Sequence, residues 1–492
     1  MPFNTRLALL AFLCAGQAQA ATTYTVSSTA DTGAQSLRGV IEAINANTAE
    51  NIFTVQFNVG SNQTILVNSD LPWLDRSGVA VSIDGSGSPG LRIDGQGASS
   101  LISATNLALL IVQDLTLHRG HAFGGGCLRS GLSGLPGGPM TVTRVLFSEC
   151  SGGAQTGGAI HARNQLNVSD SIFLDNTVSV TSGIGTGGAA IAKLGPGNLI
   201  VQGSTFLGNR TQGDSGTNLS ALGGAIYVFD SSLNHTIRDS WFEDNEASNP
   251  GGGVAGYGGA VFLNSGGLLI ERVFFRGNHA DREGGAVSVS STSDANAVRT
   301  LRVRNSSFER NSAETGGAIM FANYGNQNGL FDVRNSLFQF NAASFISPSI
   351  QMRTGVGTMN LSHSAFGAVG LDGSGVAAHC SGPISTSNAN ATLQGYSLGC
   401  GASTTTVATL GLIGSEPTLP ASFPVAYDVA LTSPLVDAGV TGAGNLADPA
   451  ACLTSDARGQ ARPQSIQFGV TPRCDIGPVE VLGPLFGDGF ED

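Results

Sequence analysis

A motif of about ten residues recurs nine times between Val112 and Phe366. Clear copies read VSDSIFLDN from Val168, VRNSSFERN from Val303 and VRNSLFQFN from Val333. The copies follow one another at intervals of roughly 30 residues, which is typical of a repeat architecture. Their first aliphatic residues are Val112, Val142, Val168, Val201, Ile237, Ile270, Val303, Val333 and Leu361.

A second motif, Gly-Gly-Ala-aliphatic, keeps step with the first and has an altered copy, GGCL, at Gly125. Its regular copies begin at Gly157, Gly187, Gly223, Gly258, Gly284 and Gly316. In V-x-[DN]-S-x-F, the first residue and the Phe would lie on opposite faces of a straight strand, so the strand must bend near the Asp or Asn. The paired glycines mark a second sharp corner.

Two further columns of like residues are expected once the repeats are stacked. One is a core column of Phe147, Phe173, Phe206, Phe242, Phe275, Phe308, Phe338 and Phe366. The other follows three residues later and contains Asn176, Asn209, Asn245, Asn278, Asn311 and Asn341. Each Asn amide is expected to hydrogen-bond to the same residue in the next coil. The sequence therefore predicts an all-β chain folded as a right-handed parallel β-helix.

Composition and charge exclude several other classes. The 492 residues include 70 Gly, which disfavours long helices, while 41% hydrophobic residues is too many for a disordered chain. The formal net charge is -12, and Lys193 is the only lysine. This balance argues against nucleic acid or an anionic membrane surface as a partner.

The first 20 residues have the pattern of a secretory signal peptide, with Arg6, the apolar run Leu7 to Leu13, and a cleavage site after Ala20. No segment has the roughly 20 apolar residues that a membrane-spanning helix needs. We therefore expect a secreted or cell-surface protein.

Residues 21–104 are interpreted as an N-terminal cap with the first irregular coils. Leu37, Val40, Ile41 and Ile44 give one apolar helical face, with Ser36 as the expected N-cap. A helix here would cover the end of the stacked strands. Residues 105–370 form the regular repeats, 371–484 the degenerate coils with a cap, and 485–492 an acidic tail.

Three parts of the chain resemble known bacterial families. SLRGVIEAINAN, from Ser36, is similar to the CSLREA domain of exported proteins, although Gln35 replaces the cysteine of that motif. The GGA-aliphatic and FxxN repeats resemble those of chlamydial polymorphic outer-membrane proteins and the wider pectate-lyase-like β-helix group. SPLVDAGV from Ser433, SDARGQARPQ from Ser455 and CDIGPVE from Cys474 resemble the C-terminal region called choice-of-anchor Q. These resemblances imply an exported β-helix and leave its activity open.

Six cysteines remain after the signal peptide, and an even number in an exported chain favours disulfides. Their grouping suggests three local pairs, although spacing alone leaves other connectivities open: Cys127 with Cys150, Cys380 with Cys400, and Cys452 with Cys474.

Four sets of polar residues were considered for chemistry. They are the column Gln202, Arg238, Glu271, Arg304 and Arg334; the corner residues Asp170 and Asp239; the strip Asp175 and Asp244; and the cluster His118, Arg119 and His121. The first set is interpreted as a surface charge ladder between adjacent strands and the second as corner hydrogen bonds. The third is interpreted as an acidic strip that Gly208 and Gly277 interrupt, and the fourth as polar loop residues without a function. No catalytic, cofactor-binding or metal-binding residue is assigned.

Three hypotheses about function remain. The sequence favours a non-catalytic scaffold for adhesion or for binding a glycan or a partner surface, with loops at Thr211–Leu222, Glu246–Tyr257 and Ser288–Thr300 varying that surface. A polysaccharide lyase or glycoside hydrolase with a divergent site is the alternative, and would need several carboxylates beside an Arg on one outward patch. A structural surface protein is the second alternative. Oligomeric state is not predicted.

Overall fold

The structure is a computed structural model. It describes residues 21–132, 134–153, 156–180, 186–213, 219–230, 234–250, 256–290, 299–323, 329–354, 357–370, 378–399, 404–413, 426–440, 448, 450–463, 471 and 473–481. The predicted signal peptide, the acidic tail, Cys400 and the middle of each of the three predicted loops lie outside these residues.

The chain forms a parallel β-helix of about 11 turns, which confirms the predicted fold class. Every pairing within its three long sheets is parallel, and each coil contributes to these sheets in turn. The strands of the largest, 22-stranded sheet are Thr22–Val26, Ile52–Phe57, Thr64–Leu66, Ala80–Asp84, Arg92–Asp94, Leu109–His118, Met140–Ser148, Leu166–Ser169, Ile172–Leu174, Leu199–Gln202, Thr205–Leu207, His235–Glu243, Gly266–Arg276, Arg299–Arg304, Ser307–Glu309, Gly329–Arg334, Leu337–Gln339, Gly357–Ser362, Ala365–Phe366, Thr386–Asn388, Asn390–Leu393 and Thr404–Val407.

Two further long sheets complete each coil. The 12-stranded sheet contains Leu74–Asp75, Ile102–Thr105, Leu128–Ser130, Ile160–Ala162, Ile191–Leu194, Ile226–Phe229, Val261–Leu263, Val287–Val289, Ile319–Asn323, Ile350–Thr354, Ala378–Ser381 and Ser397–Gly399. The 8-stranded sheet contains His121–Ala122, Ser151–Gly152, Thr177–Val180, Arg210–Gly213, Glu246–Ser248, His279–Ala280, Ser312–Thr315 and Ala342–Ile346. Two short pairs join Thr186–Gly187 with Ala221–Leu222, and Leu412–Ile413 with Asp428–Val429.

The register follows the sequence repeat. All nine first aliphatic residues, from Val112 to Leu361, are direct partners in successive coils of the 22-stranded sheet. The eight phenylalanines, from Phe147 to Phe366, also pair coil by coil, with ring centroids 4.4 to 5.1 Å apart. Both columns are buried and form the centre of the core.

The predicted bend between these columns is confirmed by the backbone. The third motif residue has a positive φ of 48° to 59° in all nine copies. These corner residues are Asp114, Arg144, Asp170, Gly203, Asp239, Arg272, Asn305, Asn335 and His363. A residue with left-handed backbone angles interrupts the alternation of side chains between the two faces of a strand. Both the aliphatic residue and the Phe can therefore point into the core.

The predicted Asn column is a buried hydrogen-bonded ladder. From Asn176 to Asn311, each Asn donates from its backbone N and Nδ2 to Oδ1 of the next Asn, with Nδ2 to Oδ1 distances of 2.8 to 3.0 Å. Each Nδ2 also donates to the carbonyl of a Phe in the preceding coil. The motif Ser forms a second ladder, because Ser171 and Ser204 donate from their backbone N to Oγ of the next Ser.

The glycine corner is also present, with one difference in alignment. Ile160 pairs with Ile191, so Gly188, and not Gly187, corresponds to Gly157. Gly188 carries the positive φ of 72° that the corner requires. One extra Ala in the sequence GGAAI displaces the motif by a residue.

The N-terminal helix, Leu37–Ala46, agrees with the prediction. Its four apolar residues are buried, and Ser36 Oγ accepts from Gly39 N at 3.1 Å. The disulfides Cys127–Cys150 and Cys452–Cys474 are present, and Cys380 is disulfide-bonded. Stacked coils continue as far as Thr404–Val407, after which the chain turns back along the side of the solenoid. We call the described residues of 426–481 the return segment.

Candidate functional site

A continuous outward column runs along the 22-stranded sheet, one residue before each core Phe. Its members pair in successive coils: Thr116, Leu146, Ile172, Thr205, Trp241, Phe274, Ser307, Leu337, Ala365 and Ala391. We call this column, together with the corner residues beside it, the flank groove. Apolar side chains on an outward strand position require a cover or a ligand.

The return segment covers the C-terminal part of the flank groove. Trp241 and Phe274 are at most 1% exposed and belong to an apolar cluster with Tyr427, Leu435 and Ile476. Hydrogen bonds from Asn305 and Asn335, two of the corner residues, also join the coils to the return segment. Half of the groove is therefore filled by the chain itself.

The N-terminal part of the flank groove is open. A cavity of about 480 Å³ lies there, bounded at one end by Pro89 and Gly90 and floored by Leu146 and Ile172. Ile172 is 44% exposed, although its partner two coils further on, Trp241, is fully buried. The side chains of this column are therefore buried where the return segment covers them and exposed where it does not.

Charged residues line one wall of this open part. Arg144 makes a bidentate ion pair with Asp114, with Nε–Oδ1 and Nη2–Oδ2 distances of 2.6 and 2.7 Å. This hydrogen bonding raises the pKa of Arg144, and the charges of Asp170 and Asp84 act in the same direction. Arg144 therefore stays protonated. The carboxylate of the exposed Asp170 accepts no hydrogen bond from the described residues.

The other residues singled out in the sequence are engaged in local contacts. The charge ladder is in register, but Glu271 pairs with Arg272 at 3.2 Å, and Arg238 donates to Gln202 Oε1 at 2.7 Å. At the corners, the prediction is confirmed for Asp239, which accepts two hydrogen bonds from Arg272, but not for Asp170, whose carboxylate accepts none from the described residues.

Asp175 and Asp244 do not form a continuous strip. Each carboxylate lies over a glycine of the next coil, where a Cβ on Gly208 or Gly277 would be 2.3 Å from it. The His118–His121 cluster is divided among three partners. His118 Nδ1 bonds Ser148 Oγ at 2.8 Å, His121 Nδ1 bonds Ser151 Oγ at 2.7 Å, and Arg119 pairs with Asp94. These groups do not converge on one site.

The motifs SDARGQARPQ, from Ser455, and CDIGPVE, from Cys474, form a buried ionic network in the return segment. Asp456 Oδ1 accepts from the backbone N of Gln460, and its Oδ2 accepts from the backbone N of Glu480. Arg462, fully buried, donates to the carbonyls of Asp475 and Gly477 at 3.0 and 2.9 Å. These motif residues hold the return segment together, and sequence reasoning had not assigned them this role.

The single lysine is structural. Lys193 is 0% exposed, and its Nζ lies 2.6 Å from the Gly195 carbonyl and 3.3 Å from Asp230 Oδ2. Burial lowers the pKa of Lys193, which favours the neutral and more reactive form of the amine. If Lys193 reacts slowly with acylating reagents, the cause is therefore that the reagent cannot reach it.

We expect an N-hydroxysuccinimide ester at pH 8 to modify the α-amino group of the native chain while Lys193 stays unmodified. The same reagent should modify Lys193 once guanidinium unfolds the protein, which serves as the control. Peptide mass spectrometry reads out both positions. Acylation of Lys193 at the same rate as the α-amino group in the native state would contradict the buried position.

Within the described residues, no group of three or more His, Cys, Asp or Glu side chains is arranged to hold a metal ion. The helices among these residues are also too short or too polar to span a bilayer. Comparisons with models of protein families, with curated proteins and with solved structures each gave no match.

Proposed function

We propose that this chain is an exported or cell-surface β-helix scaffold that binds a glycan or a partner surface without catalysing a reaction. The observation that supports this proposal is the open part of the flank groove, where apolar Leu146 and Ile172 adjoin a wall of charged residues. An exposed apolar surface with a polar rim is typical of binding sites.

The electrostatics of the groove favour binding over chemistry. A lyase base must be unprotonated before it can accept a proton from the substrate, but the hydrogen bond to Asp114 raises the pKa of Arg144 and keeps it protonated. The carboxylate of Asp114 is in turn engaged by Arg144. Both effects favour a non-catalytic role.

The purified chain would be incubated with acidic and neutral polysaccharides, with and without Ca²⁺, while polymer length and protein retention are followed. We expect no polymer to be shortened; if a polymer is retained, we expect Ile172→Glu to remove that retention by placing a charge on the groove floor. Thr177→Glu is the matched control, because Thr177 is exposed in the same coil on the 8-stranded sheet. Equal loss of retention in both variants would count against the groove.

A polysaccharide lyase or hydrolase is the second candidate, because Asp84, Asp114 and Asp170 surround Arg144 on one outward patch. Shortening of any polymer in the same assay would favour it. Asp170→Asn should then abolish shortening, since the substitution removes the carboxylate that accepts no hydrogen bond from the described residues. Shortening that persists in Asp170→Asn would place the chemistry elsewhere.

A further inference from the structure

The covered part of the flank groove shows how this surface holds a polypeptide. Asn335 Oδ1 accepts from Leu453 N at 3.2 Å, and Asn305 Nδ2 donates to the Ser455 carbonyl at 3.0 Å. Both contacts join a corner side chain to the main chain of the return segment. The return segment is therefore held by corner side chains and an apolar floor, and its described residues add no strand to the 22-stranded sheet.

A neighbouring arginine contributes in the same way. Arg334 Nη1 donates to the Asp448 carbonyl at 2.8 Å, and Arg334 Nε donates to Asp332. An arginine held by one aspartate thus presents a second nitrogen to a peptide carbonyl.

The open part repeats this arrangement with charged groups. Arg144 is held by Asp114 through Nε and Nη2, and its Nη1 makes no hydrogen bond to the described residues. Asp170, in the next coil, occupies the corner position that Asn335 occupies in the covered part. The column continues in register from the buried Trp241, through the buried Thr205, to the exposed Ile172.

The size of the open part suits a short stretch of extended chain. The cavity runs from the coil of Leu91, through those of Thr116 and Leu146, to that of Ile172. These three steps span about 14 Å at ~4.8 Å per coil, which is four to five residues at ~3.3 Å each. The described residues that line the cavity are aliphatic, small or charged and include no aromatic ring on which a sugar could stack.

The net charge of the groove wall indicates which peptides would bind there. The wall carries the carboxylates of Asp114 and Asp170 against the single guanidinium of Arg144, so it is net negative at neutral pH. The chain's own tail, residues 485–492, reads LFGDGFED and is acidic with no basic residue, so it is a poor match.

We propose that the open part of the flank groove binds an extended peptide segment of a partner protein, with an apolar side chain on Leu146 and Ile172 and a basic side chain at Asp170. This inference rests on the proposed function, because it names the class of partner for the same surface. The interface is a continuation of the one that already holds the return segment.

The test uses fluorescent, acetylated and amidated heptapeptides with Leu, Ile, Phe or Tyr at the third position and Arg, Gln or Glu at the fifth. Binding to the full chain is measured by fluorescence anisotropy. We expect the Arg peptides to bind at least about fivefold more tightly than the Glu peptides. Asp170→Asn should remove this discrimination, and Ile172→Glu should abolish binding of the whole set.

Asp175→Asn is the matched control for Asp170→Asn. Both residues are exposed aspartates in one coil, with φ of 52° and 50°, and each carboxylate lies over a glycine of the next coil. Asn tolerates this backbone conformation, so neither variant should disturb the fold. Asp175→Asn should keep the discrimination between Arg and Glu peptides.

Three results would overturn the inference. If no peptide binds while Ile172→Glu removes polysaccharide retention, the groove is a binding surface but its partner is a glycan. If neither peptides nor polysaccharides respond to Ile172→Glu, the proposed function of the groove fails as well. Self-association that increases with concentration and disappears in Asp170→Asn would identify a second copy of the chain as the occupant.

Discussion

Asn245→Ala is expected to destabilise the protein by about 3 kcal/mol, because a buried polar group left without a partner costs about 1–3 kcal/mol and each further lost hydrogen bond about 0.5–1.5 kcal/mol. Asn245 is 0% exposed, and its Oδ1 accepts from both nitrogens of Asn209. Its Nδ2 donates to the Phe206 carbonyl and to Asn278 Oδ1. Alanine leaves the backbone N of Asn209 without its partner, whereas Asn209 Nδ2 keeps its bond to the Phe173 carbonyl and Asn278 Oδ1 keeps the bond from the backbone N at position 245.

Chemical denaturation of the two variants Asn245→Ala and Asn167→Ala measures this effect. Asn167 lies on the outer side of the same sheet, is half-buried, and accepts one bond of 3.4 Å from Gln165. We expect its replacement to cost less than about 0.5 kcal/mol. Similar losses in the two variants would show that the ladder contributes little beyond an ordinary polar contact.

The protein is expected to lose stability steeply between about pH 6.5 and pH 4. Burial lowers the pKa of His161, His235, His363 and His379 to about 4 in the folded state. The unfolded chain binds these protons near pH 6.5, so the stabilisation is complete above that pH and is lost as the pH falls towards 4. Each histidine contributes on the order of 3 kcal/mol to this loss.

Asp475 acts in the opposite direction. Burial raises its pKa to about 6, so its contribution is present at low pH and is lost as the pH rises through 6. The contribution of Asp475 to the pH dependence of the unfolding free energy offsets that of about one of the four histidines. The net expectation is a lower thermal midpoint at lower pH, measured by calorimetry from pH 7.5 to pH 4.5.

Two histidine variants separate the buried groups from the exposed ones. His379→Gln should flatten the pH profile, because it removes a fully buried imidazole whose Nδ1 bonds Ser349 Oγ. His121→Gln, at an exposed position, should leave the profile unchanged. A thermal midpoint that stays constant from pH 7 to pH 5 would contradict the account of the buried histidines.

The coil register could be predicted from the sequence because every coil repeats the same local pattern. The Phe and Asn columns follow from spacing alone, and the bend follows from the opposite faces of Val168 and Phe173. The shift from Gly187 to Gly188 was not predicted, because one inserted Ala preserves the motif while moving its register. Only the pairing of Ile160 with Ile191 reveals that shift.

The return segment and the groove could not be predicted in the same way. The hydrogen bond between Tyr427 and Glu309 joins residues 118 positions apart, and Tyr427 belongs to no repeated pattern. A signal for the groove was present in the apolar residue before the Phe, as in Ile172 and Trp241. Its meaning depended on which coils the return segment covers, and the sequence does not specify this.

Hydroxyl-radical footprinting tests most directly whether the open groove is the binding surface. Ile172, Ile52 and Phe229 are 44%, 40% and 45% exposed, so the last two are controls away from the groove. The chain would be oxidised with and without a saturating amount of the polymer or peptide that it retains. We predict that the bound molecule protects Ile172 while Ile52 and Phe229 are oxidised as before; oxidation of Ile172 at an unchanged rate would show that binding occurs elsewhere.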